Sequence, residues 1–314
     1  MSRGFVGKKV WTRCILTLVS MKGGFFSLYK PAGVTSHQVL SGLKRIFDTR
    51  KVGHMGTLDP LAEGILPVAT EESTRLIEFI KTEPKIYEVE IFFGFSTPTC
   101  DAESLTDLSA LPIIPQMFDE KTLLAEISNF VGGYEQTPPI FSAKKVGGVK
   151  AYDVARKDPA AEFDLKPVFV QLNSAKIIDF KWPYCTLLIE VGSGFYVRSF
   201  IKDLSEKLSV EAFMFHLKRV SCGEFRIDNS VLPEDFAKGK EFLLSKMIPV
   251  DLLIPDFHCK NLNFEESENL RNGRPIKFDG IDEVVFAYFN DTLVSVLKRT
   301  GEFEYRILKN FLHD

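Results

Sequence analysis

The chain has 314 residues, 45% of them hydrophobic, with 39 Lys and Arg against 42 Asp and Glu for a formal net charge of −3. That length exceeds one ordinary core and suits a large domain plus a small one, and the sequence holds no repeat or low-complexity tract to suggest a fibrous or disordered chain. With a pI near 6.0 the whole-molecule field is not that of a polyanion binder, so a nucleic acid has to be met by local basic clusters.

Residues 1–24 are basic and include the apolar stretch Cys14–Val19, too short for a signal core or a membrane span. Met21, Lys22 and the Gly23-Gly24 pair mark this segment as an over-long start or a disordered tail. No Asp or Glu occurs from Met1 to Phe47, while Lys30, Lys44, Arg45, Arg50 and Lys51 line the approach to the next landmark. Phe25 to Tyr29 predicts a strand ending in a Lys30-Pro31-Ala32-Gly33 turn. Thr35 or Ser36 then caps a helix whose apolar face is Val39, Leu40, Leu43, Ile46 and Phe47.

The landmark is Gly53 to Leu66, Gly-His-Met-Gly-Thr-Leu-Asp-Pro-Leu-Ala-Glu-Gly-Ile-Leu. Gly53, Gly56 and Gly64 permit backbone conformations closed to other residues, and Pro60 fixes the dihedral just after Asp59. Asp-Pro is also a common turn pair; the residues around it make this a loop that aims one carboxylate.

Beyond it the pattern predicts a strand over Leu66 to Ala69, a helix over Ser73 to Ile80, and a strand over Tyr87 to Phe93 with Tyr87, Val89, Ile91 and Phe93 on one face. Thr97 to Pro115 is irregular. Asp119 precedes a helix with Leu123, Leu124, Ile127, Phe130 and Val131 inward. Gln136-Thr137-Pro138-Pro139 leads into a basic, flexible loop from Ser142 to Gly148, and strands over Ala175 to Phe180 and Thr186 to Val191 pair around Trp182-Pro183. A second glycine-shaped segment, Gly192-Ser193-Gly194-Phe195-Tyr196, opens a helix over Val197 to Leu208 with Arg198 in its first turn. Pro249 and Pro255 mark a boundary, after which a short helix from Glu265 to Arg271 and three strands, with an Asn290-Asp291 hairpin turn, form a β module.

The five cysteines, Cys14, Cys100, Cys185, Cys222 and Cys259, are widely spaced and odd in number, and the five histidines form no metal signature. They read as reduced residues of a cytoplasmic protein. With neither a phosphate-binding glycine loop nor a dinucleotide fingerprint, the expected chemistry uses no cofactor and no metal.

Several segments in order now carry a resemblance. Lys30 to Ser36; Gly53 to Leu66; Lys85-Ile86-Tyr87 with Gly94, Thr97, Thr99, Asp101 and Glu103; Pro138 to Lys144 with Gly147, Ala151-Tyr152 and Ala155-Arg156; Tyr196 to Ser199; and Leu217 to Arg219 with Gly223 and Phe225 resemble the bacterial TruB family of tRNA pseudouridine synthases. The glycine loop is the most specific of these, and the likeness runs from Phe25 to the C-terminus. The resemblance implies a mixed α/β (α+β) catalytic domain over 25–250, built on a central sheet with a cleft and an RNA-binding insertion near 136–156, followed by a PUA-like β module over 251–314. It implies isomerisation of a flipped-out uridine in the tRNA T-loop, by a monomer that needs no membrane. The glycosidic bond to N1 breaks, the base turns, and C5 rejoins the sugar.

The residue types suit that reaction. Breaking a glycosidic bond builds positive charge on the sugar, which an ionised carboxylate stabilises or captures; by resemblance Asp59 is that nucleophile, with the sugar carbon and the base both open as its first target. A carboxylate kept ionised in a partly dry pocket needs a fixed cation, and Arg198, at a helix start where the dipole disfavours positive charge, is the expected partner. Tyr87 matches a tyrosine that stacks on the target base and helps the C5 proton leave. His54 is expected to support the flipped nucleotide, Tyr196 and Leu217 to line the uracil pocket, and Lys30 to sit at its rim. Lys144, Lys145, Lys150, Lys218 and Arg219 are candidate phosphate contacts. Ser104, Glu71 and Ser205 stand where the family pattern commonly has glycine. Competing readings are a guide-RNA-dependent pseudouridine synthase, a non-catalytic tRNA chaperone, and a nucleoside glycosidase with Glu63 as its second carboxylate.

Overall fold

The computed structural model describes residues 22–105, 107, 111–139, 166–254 and 257–312, with the backbone of 145–146 and 149–150. Residues 1–21, Lys144 and the side chains of Lys145 and Lys150 lie outside the described residues. Strand β1 (Phe25–Lys30) ends at the proline turn, and Thr35 opens α1 (Ser36–Ile46) through a reciprocal capping box with Gln38. Leu40 and Leu43 are buried one turn apart, with Lys44 and Arg45 in the last turn, where the helix dipole favours cations. Strands β2 (Val52–His54) and β3 (Glu63–Thr70) follow, antiparallel to each other. The helix expected over Ser73 to Ile80 is present as a 3₁₀ helix over Glu71–Phe79. Ser73, Leu76 and Phe79 recur every third residue, the 3₁₀ repeat, and Thr70 supplies no side-chain cap. Glu71, one of the departures from glycine, has φ of +51°, so the backbone shape that favours glycine is present without it.

The chain continues through β4 (Lys85–Phe93), and after α2 (Glu120–Ser128) come β5 (Tyr134–Gln136), β6 (Lys145–Val146), β7 (Val149–Lys150), β8 (Val168–Val170), β9 (Leu172–Lys181) and β10 (Tyr184–Val191). After α3 (Val197–Leu208) come β11 (Ala212–Cys222) and β12 (Phe225–Arg226). The strand order β1-β3-β11-β4-β10-β9 defines a mixed eight-stranded sheet in which β3 and β11 run parallel, while β2 and β12 add to β3 and β11. β5 pairs with β8, and β6 with β7, as small separate ribbons. In β4 the expected alternation holds: Tyr87, Val89, Ile91 and Phe93 are buried, Glu88 and Glu90 half-buried. That face packs with α2 and α3 residues such as Leu123, Ile127, Phe200 and Leu204 in the largest apolar cluster.

A second sheet, β13 (His258–Asn261), β14 (Ile276–Lys277), β15 (Val284–Phe289), β16 (Thr292–Arg299) and β17 (Glu304–Asn310), has the order β13-β15-β16-β17-β14. It shares a core with the first: Phe25, Ile65 and Phe225 lie in one cluster with Phe286, Tyr288, Val296 and Phe311. Residues 22–24, expected to belong to the tail, are tied to this body, since Gly24 N–H donates to Thr70 Oγ1 at 3.0 Å and Glu72 N–H to Lys22 O at 3.0 Å.

Candidate active site

Because β2 and β3 pair with His54 opposite Val68, residues 55–62 are the connection of a hairpin, and Asp59 stands on it. Several fixed contacts shape that connection. Ser36 Oγ donates to Leu58 O and accepts the Leu58 N–H, each at 3.0 Å, and Gly33 N–H donates to Pro60 O at 2.9 Å. From below, Arg219 on β11 donates through Nε to Ile65 O at 2.5 Å and through Nη2 to Gly56 O at 2.9 Å. Gly64 has φ of +106°, and a Cβ there would lie 2.2 Å from Arg219 O, so only glycine lets β3 approach β11 at this point.

Two sequence expectations are corrected here. Arg219, expected among the phosphate contacts, is 1% exposed and spends its guanidinium on loop carbonyls. Lys30, expected at the pocket rim, is wholly buried, its ammonium donating to Pro31 O at 3.0 Å, Val34 O at 2.7 Å and Pro60 O at 3.1 Å. Burial pushes the Lys30 amine down to about 8, against the pull of the Asp59 and Glu63 charges; it remains a cation at neutral pH. Both side chains answer the loop's own unpaired carbonyls, a demand no linear pattern reveals.

Arg198 comes from the first turn of α3. Its Nη2 lies 3.1 Å from Asp59 Oδ2, and the two side chains differ sharply in access: Arg198 is 8% exposed and Asp59 39%. The same guanidinium meets a second carboxylate, Asp101, through Nε at 3.7 Å, and donates through Nη1 to Thr99 O at 3.3 Å. Asp101 is itself held by Thr99 Oγ1 at 2.6 Å and Glu103 N–H at 3.1 Å. It lay in a resembling segment without a role; the Thr-x-Thr-x-Asp spacing, which lets a hydroxyl reach the acid two residues on, is the signal that could have found it.

Tyr87 and Leu217 are buried neighbours in the large cluster with Leu58, Ala62 and Val197. Tyr87 faces Arg219 and Leu217 faces Val89 in the β4–β11 register. Tyr196, half-buried, is the residue that caps α3. His54 is half-buried on β2 with Nδ1 shut off from solvent and unpaired; burial first, then the nearby Arg219 charge, hold its pKa below the ordinary 6.5. Lys218 is half-buried, opposite Glu63 and Glu88 in register. Glu63 is engaged elsewhere: it hydrogen-bonds Tyr29, whose hydroxyl burial and that bond push up to about 12, and lies 3.6 Å from His216 Nε2. A glycosidase would want that carboxylate free. Among the described residues no group of three His, Cys, Asp or Glu could hold a metal ion.

The description "TruB family pseudouridylate synthase (N terminal domain)" matches residues 44–197. The tRNA pseudouridine synthase B of Streptococcus pneumoniae serotype 2 is 34% identical over 282 residues, covering 88% of this chain and 96% of that protein. The protein of the same name from Thermosipho melanesiensis is 36% identical over 274 residues, covering 87% of each. Among solved structures, a chain of a Cbf5–Nop10–Gar1 complex matches with a TM-score of 0.66 at 21% identity, over 92% of this chain and 85% of that one. An H/ACA RNP bound to a substrate RNA containing 2′-deoxyuridine matches at 0.66 and 19%, over 96% and 88%. At those identities the likeness is one of fold.

Proposed function

The chain belongs to the TruB family of pseudouridylate synthases, and on that footing we propose that it isomerises a uridine in the T-loop of tRNA to pseudouridine, with Asp59 as the catalytic carboxylate. The observation that supports this most directly is the Asp59–Arg198 pair at 3.1 Å, with the cation enclosed and the carboxylate open at one side. A surface ion pair would have both members exposed. Here the buried guanidinium fixes one side of the acid, and the acid presents its other edge to whatever occupies the cleft.

The reaction follows from those positions. A T-loop uridine is stacked within folded RNA and has to be flipped out to meet Asp59. As the bond from ribose C1′ to N1 stretches, electrons move into the uracil ring and the sugar becomes cationic; the Asp59 carboxylate stabilises or captures that centre. Leu217 offers an apolar wall and Tyr87 an aromatic ring for the detached base, which turns until C5 faces C1′. C5 then bonds to C1′, displacing the Asp59 carboxylate where it has captured that carbon, and is left with one extra proton; that proton leaves C5 with help assigned to the Tyr87 hydroxyl while N1 takes one up, so the uracil ring is restored with no net change in protons. Lys144, Lys145, Lys150 and Lys218 supply phosphate contacts, with the C-terminal sheet serving as a PUA-like RNA-binding module. The enzyme acts as a monomer in the cytoplasm; among the described residues no helix is long and apolar enough to cross a membrane.

Incubating the protein with an unmodified tRNA transcript and mapping pseudouridine tests this reading. It predicts one modified T-loop position without any added RNA. Release of free uracil points to a glycosidase, dependence on a guide RNA to the other isomerase class, and tight binding without product to a chaperone; each of these contradicts the reading.

A further inference from the structure

Gln136 ends β5, and its pairing with Val168 on β8 makes these two strands the stem from which residues 137–167 depart. Its side chain is 1% exposed and engages both backbone groups of a single residue. Oε1 accepts the Tyr196 N–H at 2.8 Å, and Nε2 donates to Tyr196 O at 3.0 Å and to Tyr134 Oη at 2.7 Å. Tyr196 is the residue before α3 and has no side-chain capping bond of its own, so an amide from another element fixes the backbone where the helix begins. A further bond lies along the same side of α3, where Ser199 Oγ donates to Thr137 O at 2.7 Å, and the Tyr134 hydroxyl faces Asp203 there: burial first, then that charge, raise the Tyr134 pKa. Residues 196, 199 and 203 recur at helical spacing, so the stem is splinted along one face of α3. Arg198 projects from the same first turn toward Asp59.

We propose that Gln136 is a positioning residue for the isomerisation: it fixes the first turn of α3 against the stem, so that Arg198 holds Asp59 and Tyr196 is presented to the base. The inference rests on the catalytic reading of the Asp59–Arg198 pair. A buried amide that matches one donor and one acceptor on the same backbone residue has little freedom to shift, and its loss leaves Tyr196 N–H and O unpaired. Displacements of about 1 Å at a catalytic group cost about 100-fold in rate. Gln136 is not itself among the phosphate contacts, so tRNA affinity, set largely by basic side chains, is expected to change far less than the rate.

The closing experiment compares wild type, Gln136→Leu and Gln136→Glu at pH 6 and pH 8, by single-turnover pseudouridine formation, tRNA affinity and thermal melting. Glutamate has the shape of glutamine and accepts the Tyr196 N–H, but only its protonated form donates to Tyr196 O. The titratable side chain that meets it is Tyr134 on its own strand, which in turn faces Asp203 on α3; burial raises the Asp203 pKa, and burial acts on a carboxyl at 136 in the same direction. Gln136→Leu is expected to slow the reaction by about 10- to 100-fold with tRNA Kd within about twofold of wild type. Gln136→Glu is expected to match that loss at pH 8 and to recover about fivefold or more, relative to wild type, at pH 6. Wild-type rates in both variants, a parallel loss of affinity, or a Gln136→Glu defect that is the same at both pH values would overturn the proposal. If Gln136→Leu fails to melt cooperatively, the pH response of Gln136→Glu decides alone. Absence of pseudouridine from the wild type would sink the parent reading instead, and is visible in the same assay.

Discussion

At the scale of single residues, the site is organised by buried cations that face inward to hold what a half-exposed acid presents outward. Arg198 faces Asp59 and Asp101, Arg219 faces the carbonyls of Gly56 and Ile65, and Lys30 closes the far side on Pro60. Leaving any of these cations buried without its acceptors would be strongly unfavourable. His54 stands in this positive field, with its pKa below 6.5 because of burial and then Arg219. The unfolded chain therefore takes up this proton before the folded one does as pH falls. The contribution to stability is complete above 6.5 and is lost as pH drops through the folded value. Melting temperature is expected to decline between pH 7 and pH 5 more steeply in wild type than in His54→Gln; equal slopes would contradict the assigned burial.

At the scale of elements, the loop carrying Asp59 is a hairpin connection set by strand register, and the arginine is delivered by a helix start. How much of this was legible in the sequence varied with the physical cause. The α3 boundaries at Val197 and Leu208 agree with the apolar spacing because one face is buried and the other is wet. The Asn290-Asp291 turn was legible because both residues tolerate positive φ, here +48° and +59°. β11 was not: it lies between β3 and β4, and Ala212, Phe213 and Met214 are all buried, which erases the alternation that identifies a strand. The Asp59–Arg198 pair was reached through the family resemblance and the odd placement of a cation at a helix start, since two residues so distant along the chain share no local pattern. The inward turn of Arg219 and Lys30 was illegible because a basic side chain that caps carbonyls looks, in sequence, like one that waits for phosphate. Two glycines separate shape from space. Gly64→Ala is expected to destabilise by roughly 3–5 kcal/mol, because positive φ and a backbone clash act together; Gly33→Ala, with φ of +82° and nothing within 4 Å of the added carbon, is expected to cost only about 1–2 kcal/mol. Denaturant unfolding of the two variants checks this, and equal losses would contradict it.

At the scale of the whole molecule, the C-terminal sheet is not a loosely tethered module. Phe79 of the large domain stacks edge-on to Phe257 and Phe286, with ring centroids 5.9 and 5.7 Å apart. Arg75 donates to Asn310 O at 2.6 Å, and Lys309 lies 2.7 Å from Glu78. An apolar core shared across the boundary predicts one cooperative unfolding transition for both sheets. Phe79→Ala removes the ring at the centre of that contact; it is expected to lower stability by about 3 kcal/mol and to split the transition in two. A calorimetric trace that is biphasic in wild type, or unchanged in the variant, would contradict this. On the proposed reading, a rigid connection would hold RNA bound by the module at a fixed distance from Asp59, which suits a substrate of constant shape.

The central claim is that the exposed edge of Asp59 does the chemistry while Arg198 and the loop merely hold it. The most direct test is single-turnover pseudouridine formation on a T-loop transcript by wild type and Asp59→Asn, with tRNA affinity measured in parallel. Asp59→Asn is expected to bind tRNA as wild type does, to melt within a few degrees of it, and to form no pseudouridine. Product from Asp59→Asn at more than a small fraction of the wild-type rate would contradict it.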